Sequence, residues 1–217
     1  AKWVEASAGS AEHPASRVRS GSFTTFRELY QSVAVPRLRE ELTRTNPHAL
    51  PRIRAVVVAV GTGKHHTEGK FLEDATQGLT LLTGQKPASR PARTSIAGFK
   101  VRAGQPVGLV VTLRGRRMED FLARLLWVVL PRVRDFRGIS PRAIDAGGNL
   151  TIGFRDAAAF PEVDPAKIET PFGLQVTLVT TARNRDEGRA LFRALGFPLL
   201  DSEQGTVIRR QRRRDRI

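Results

Sequence analysis

The stretch VGLVVTLRGRRMEDFLARLLWVVL, residues 107–130, sets the architecture of this chain. Val107 to Leu113 is rich in β-branched side chains and is closed by Gly115, which predicts a strand. From Arg116 to Leu130 the apolar residues Met118, Phe121, Leu122, Leu125 and Leu126 recur at helical spacing, with Pro131 as the expected stop. The same strand-and-helix grammar extends outward on both sides. Towards the N-terminus, Ile53 to Val60 is a β-branched run followed by the turn Gly61-Thr62-Gly63. Lys70 to Thr83 is a helix with Phe71, Leu72, Ala75, Leu79 and Leu82 on one face, and Gly84 suits its C-cap. Thr25 to Arg44 is a helix that Pro36 should kink or divide, and Asn46-Pro47 stops it.

Towards the C-terminus, Asn149 to Arg155 alternates as a strand. Phe160 to Phe172 carries three prolines and reads as loop, and Leu174 to Thr181 is another strand. Asn184 to Leu195 is a final helix, with Asn184 and Glu187 spaced as in a capping box and Gly196 ending it. This order predicts one α+β domain: a largely antiparallel sheet with helices packed on one face and the other face free. Its expected bounds are 23–200. Residues 1–22, rich in Ala, Ser and Gly, form an N-terminal extension, and 201–217 an Arg-rich tail ending RRQRRRDRI. Both basic termini are expected to be flexible. The extension begins with Ala and is similar in composition to the end of a transit peptide.

Composition narrows the function classes. The 217 residues carry a net charge of +15 and a pI near 11.5, an excess that a polyanionic partner would offset. Nucleic acid and an anionic membrane surface both qualify. Cysteine is absent, which excludes disulfides, thiol nucleophiles and Cys-based zinc sites. The longest apolar run, Phe121 to Leu130, is broken by Arg124 and is too short to span a bilayer.

Chemistry-bearing motifs fail on inspection. VAVGTGKHH (58–66) has the outline of a phosphate loop, but Val58 occupies the required Gly position and His65 the required Ser/Thr position. His65, His66 and Glu68 have no metal-ligand spacing, so no metal or cofactor is expected. The acidic pairs Glu119-Asp120 and Asp186-Glu187 are read as first-turn residues that complement helix dipoles, not as catalytic carboxylates. No nucleophile elbow is present, and no catalytic residue is assigned.

The basic segments behave differently. Gln85, Lys86, Arg90, Arg93, Lys100 and Arg102 lie among Gly, Ser, Thr and Pro with no acid between them. Arginine binds phosphate in bidentate fashion, and small neighbours let backbone N–H groups approach it. Phe99, the one aromatic there, is assigned to the core. Arg132, Arg134 and Arg137 follow a helix end, where either dipole capping or RNA contact accounts for them.

Three long segments then carry a resemblance: LLTGQKPASRPARTSIAGFKVRAGQPVGLVVTLRGRRMEDFLARLLWVVLPRVRDFRGIS (81–140), GNLTIGFRDAAAFPEVD (148–164) and DEGRALFRALGFP (186–198). Together they resemble the bacterial-type large-subunit ribosomal protein L-five family over about Phe26 to Pro198. The resemblance implies a structural, non-enzymatic protein of the central protuberance that binds 5S rRNA and large-subunit rRNA. It places Gln85, Lys86, Arg90, Arg93, Thr94, Thr112 and Arg114 near 5S rRNA. It implies that the loop Ala97 to Gly104 approaches the P-site tRNA, with Lys100 and Arg102 as phosphate contacts. It also implies that Asp156 to Phe172 faces small-subunit protein S-thirteen. The family's Asn-Met-Gly at the end of the first strand is Ala59-Val60-Gly61 here. The extension and tail favour an organellar, mitochondrial ribosome over a bacterial one. The competing expectations are a basic nucleic-acid-processing enzyme and a polybasic membrane-surface protein.

Overall fold

The computed structural model describes residues 25–44, 46–63, 69–99, 101–134, 136–163 and 170–200. Five strands form one antiparallel sheet: β1 (Ile53–Gly61), β2 (Ala88–Pro91), β3 (Pro106–Leu113), β4 (Leu150–Phe154) and β5 (Leu174–Thr180). Their order is β2-β3-β1-β5-β4, with β1 at the centre. The register places Val58 opposite Val111 on one side and Val176 on the other. Since side chains alternate across a strand, these partners share a face. That face holds Val56, Val58, Val60, Leu109, Val111, Leu113, Leu150, Ile152, Phe154, Leu174, Val176 and Leu178, all buried. The α+β architecture expected from the sequence is the one observed.

Four helices cover the buried face. α1 runs as α-helical Phe26–Leu29, a π-helical turn Tyr30–Ala34 and α-helical Val35–Leu42. α2 is Gly69–Thr83. α3 is Gly115–Arg124, a π-helical turn Leu125–Val129 and Leu130–Arg132. α4 is Arg185–Ala194. Phe26, Leu29 and Leu38 of α1, Phe71, Leu79 and Leu82 of α2, Phe121, Leu122 and Leu125 of α3, and Leu191 and Phe192 of α4 join the strand residues in one core.

Of the two outcomes expected of Pro36, division does not occur, since α1 runs on to Leu42; the end expected at Pro131 falls one residue later, at Arg132. In each helix a π turn, ending at Ala34 or Val129, comes just before the proline. A proline has no N–H and its ring crowds the carbonyl four residues earlier. The wider turn takes in that mismatch without breaking the rod. Glu119 and Asp120 also move: α3 starts at Gly115, so no acid lies in its first turn, and the dipole reading does not hold for them. It does hold for Asp186 and Glu187.

Polar staples fix the last helix. The Asn184 side chain accepts from the Glu187 N–H at 3.0 Å, the cap bond that the spacing predicts, while a Glu187 carboxylate oxygen accepts at 3.0 Å from the N–H of Arg183, one residue before the N-cap. The other oxygen of the buried Glu187 pairs with Arg44, which follows α1. Gly188 faces Gly148 so closely that a Cβ there would meet the Gly148 carbonyl oxygen at 2.5 Å. Among the described residues of 157–172, Glu162 accepts from Arg124 at 2.5 Å, and Thr170 donates to Asp74 at 2.6 Å. Phe160 and Phe172, expected in loop, are indeed outside the strands but are core residues.

Candidate nucleic-acid interface

The second face of the sheet is where the candidate site lies. Alternation puts Ala88 and Arg90 of β2, Gly108, Val110 and Thr112 of β3, Val57, Ala59 and Gly61 of β1, Gln175, Thr177 and Val179 of β5, and Thr151 and Gly153 of β4 on it. None of these residues is fully buried. Every side chain in the middle rows is small or medium-sized, and the polar ones are hydroxyls and one amide. Thr151 and Thr177 pair across β4 and β5 at 3.2 Å, and Gln175 donates to the Thr177 hydroxyl at 3.4 Å. The central strand's backbone is engaged by neighbours on both sides, so chemistry on this face must come from side chains. Ala59, in the middle row opposite Val110 and Gln175, offers only a methyl group.

Positive charge frames this face. Arg90 is exposed on the edge strand opposite Gly108. Arg114 is exposed directly after β3, in extended conformation, with the alternation of Thr112. Arg155, exposed after β4, continues the alternation of Thr151 and Gly153. The sequence reading did not single it out, because Asp156 beside it breaks the acid-free pattern, although the alternation in LTIGFR contains the signal.

Gln85 and Lys86 lie in the connection from α2 to β2; Gln85 is half-buried, its N–H donating to the Thr83 hydroxyl at 3.3 Å, and Lys86 is exposed. Arg93, Thr94 and Arg102 are exposed in the long β2–β3 loop. That loop folds on itself. Ala92 donates to Gln105 at 2.8 Å, Ile96 to Val101 at 2.9 Å, Ala103 to the Ser95 hydroxyl at 2.9 Å, and Arg102 to the Gln105 side chain at 2.8 Å. Lys100 lies outside the described residues, as do His65, His66 and Glu68. Phe99, assigned to the core from sequence, is 74% exposed at the loop's 3-10 turn, with Ile96 48% exposed beside it in the chain. A folded loop that holds an aromatic ring out in water presents a stacking surface.

Arg132, Arg134 and Arg137 are also exposed, but they follow α3 rather than any strand. Their segment is tied to the end of the domain by Ile139 N–H to Pro198 at 2.7 Å and Leu200 N–H to Ile139 at 2.9 Å. The structure therefore does not assemble them on the sheet face with Arg90 and Arg114.

Residues 46–102 match the family described as Ribosomal protein L5, and residues 106–199 match the C-terminus of the same ribosomal family. A large ribosomal subunit protein uL5 from Anaeromyxobacter sp. (strain Fw109-5) is 47% identical over 172 residues, covering 79% of this chain and 96% of that protein. The chain belongs to the ribosomal protein L5 family. The uL5 proteins of Acaryochloris marina and of Nostoc sp. (strain PCC 7120) are 45% and 44% identical, covering 80% and 82% of this chain and 96% and 98% of theirs. L5 proteins are structural components of the ribosome and not enzymes, which disposes of the nucleic-acid-processing alternative. Among the described residues, no helix is long and apolar enough to cross a membrane.

Proposed function

We propose that this L5-family chain is a scaffold of the large ribosomal subunit that holds 5S rRNA against large-subunit rRNA in the central protuberance. The observation that carries the reading is the sheet face opposite the helices, small in the middle and framed by Arg90, Arg114 and Arg155. An RNA helix offers a wide, shallow minor groove lined by 2′-hydroxyls, which a flat face of Thr, Gly and Ala can approach closely. Thr112, Thr151 and Thr177 supply hydroxyls for those contacts, and the arginines take phosphates. Gln85, Lys86, Arg93 and Thr94 are assigned to the same RNA from beside the sheet. The β2–β3 loop, with Arg102, Lys100 and the outward Phe99, is assigned to the P-site tRNA. Arg132, Arg134 and Arg137 are assigned to rRNA away from the sheet, and the region 156–172 to small-subunit protein S-thirteen. The expected Asn position on β1 is filled by Ala59, so the flanking hydroxyls and arginines take a larger share of the RNA contact.

The matched relatives leave about a fifth of this chain uncovered while being almost fully covered themselves. The organellar assignment rests on the composition of residues 1–22 and 201–217; fractionation of cells that make the protein should find it in mitochondria with large-subunit rRNA, and recovery with cytoplasmic ribosomes alone would remove the assignment.

Binding of the full chain to a 5S rRNA transcript tests the main reading. With ~5–8 phosphate contacts, log K against log salt should fall with a slope of roughly −4 to −7 by duplex-like counterion release. A flat salt response would sink it.

A further inference from the structure

A groove of about 340 Å³ opens at one end of the sheet, between α1, the start of β1 and the start of α3. It is lined by Phe26, Arg27, Tyr30 and Gln31 of α1, by Arg52, Ile53 and Arg54, and by Met118 and Glu119 of α3. Each wall has a structural reason. Phe26 and Met118 are buried against the core, and the Tyr30 hydroxyl donates to the Pro51 carbonyl at 3.2 Å, fixing α1 to the entry of β1. Arg52 is held beside β5 by Thr181, whose N–H and hydroxyl both bond its carbonyl. Between Ile53 and Ala55 the ladder shifts register, and Arg54 at this irregularity is exposed.

The result is three exposed arginines, Arg27, Arg52 and Arg54, around one cleft. None of the three side chains makes an ion pair or hydrogen bond with a described residue. Three like charges around one cleft, with Glu119 the one carboxylate among its described lining residues, cost self-repulsion that a bound anion reduces. The groove lies at the end of the sheet where Arg114 frames the open face, whereas Arg90 and Arg155 lie towards the other end. Val56 near the start of β1 is opposite Leu113 at the end of β3, and Arg114 follows immediately.

We propose that this groove is a second phosphate-binding site, which takes the sugar–phosphate backbone of the RNA docked on the sheet face as that RNA passes the end of β3. Arg114 passes the strand to Arg54 and Arg52, and Arg27 closes the far side. The planar guanidinium fork suits phosphate oxygens, and the aromatic Tyr30 and Phe26 give the arginine stems an apolar floor. The assignment rests on the sheet-face reading above, and the test separates the two.

The full chain is titrated with a 5S rRNA transcript across a salt series in three forms: wild type, R27Q/R52Q/R54Q, and the sheet-face variant R90Q/R114Q/R155Q. The groove variant should flatten the salt slope by ~2–3, one counterion equivalent per lost contact. The lysine counterpart R27K/R52K/R54K should restore most of the slope while melting like wild type, which separates charge from folding. A sheet-face variant that loses binding beside a groove variant with unchanged slope overturns the groove assignment alone. No loss in either variant overturns the sheet-face reading with it. Protection of the groove by millimolar inorganic phosphate, seen as a thermal shift absent from R27Q/R52Q/R54Q but without any slope change on RNA, would assign it to free phosphate and overturn the RNA proposal.

Discussion

The two faces of the sheet are made by the same five strands, residue by residue in alternation, and yet they follow opposite rules. Val56, Val58, Val111, Val176 and Leu178 lie under the helices at 3% exposure or less, whereas their chain neighbours Val57, Ala59, Thr112, Gln175 and Thr177 are covered by none of the four described helices. On the covered face, free energy comes from removing large apolar groups from water, about 25 cal/mol per Å². On the open face a large apolar group gains nothing, and small or hydroxylated side chains remain, which keep the surface flat. The difference is that strand sequence on one face answers to the helices of the same chain, and on the other to the RNA proposed above.

That contrast can be broken most forcefully from the covered side. Leu178→Ala should cost about 2–5 kcal/mol, as large-to-small core changes do, measured by urea unfolding. The fraction that stays folded should bind a 5S rRNA transcript with unchanged affinity. Thr112→Glu tests the open side: unfolding free energy should stay within about 0.5 kcal/mol of wild type, while RNA affinity falls at least ~tenfold, or about 1.4 kcal/mol. If Thr112→Glu instead destabilises the fold as much as Leu178→Ala, the open face is not open. Arg90→Gln, at the frame, should leave melting unchanged and flatten the salt slope by ~0.9.

The smallest effect belongs to a residue on neither face. The Asp145 carboxyl accepts from the Asn149 side chain and N–H at 2.9 and 2.8 Å in the turn before β4, and these bonds hold its pKa below the ordinary 3.8. A depressed folded-state pKa contributes stability that is present above the unfolded value and lost as pH falls through the folded one. Asp145→Asn should therefore remove a slight loss of stability below about pH 4, seen in acid titration of the melting temperature, and leave RNA binding untouched.

Much of this contrast was legible in the sequence. The β-branched runs at Ile53 and Val107 and the helical spacing of Phe121, Leu122 and Leu125 report burial periodicity directly, so β1, β3 and the body of α3 fall where expected. What failed depended on contacts that periodicity does not encode. The strand β2, ASRP, has no β-branched residue and ends in proline; it pairs because it is an edge opposite Gly108 and Val110. Phe99 is apolar with no periodic neighbour, and only the folded loop shows that it points outward. The π turns before Pro36 and Pro131 leave no residue signature of their own. Within the candidate site, the acid-free run found Arg90 and Arg93, whereas Arg27, Arg52 and Arg54 are scattered in sequence and meet only where the first helix packs at the start of β1, and Arg155 is placed by the alternation of β4.

That strand order also sets a timetable. Val58 of the central strand needs Val111 on one side and Val176 on the other, so β1, made early, waits for two partners that leave the ribosome much later. Contacts between such distant segments form slowly, because a long loop must close before they reward it. Until β5 arrives, β1 has a bare edge open to wrong pairing, and the open face lacks its Gln175 and Thr177 rows. A nascent or truncated chain that stops before Leu174 would then present RNA with only part of this surface. The fold itself would thus act as a checkpoint, withholding the finished platform until nearly the whole domain has been synthesised.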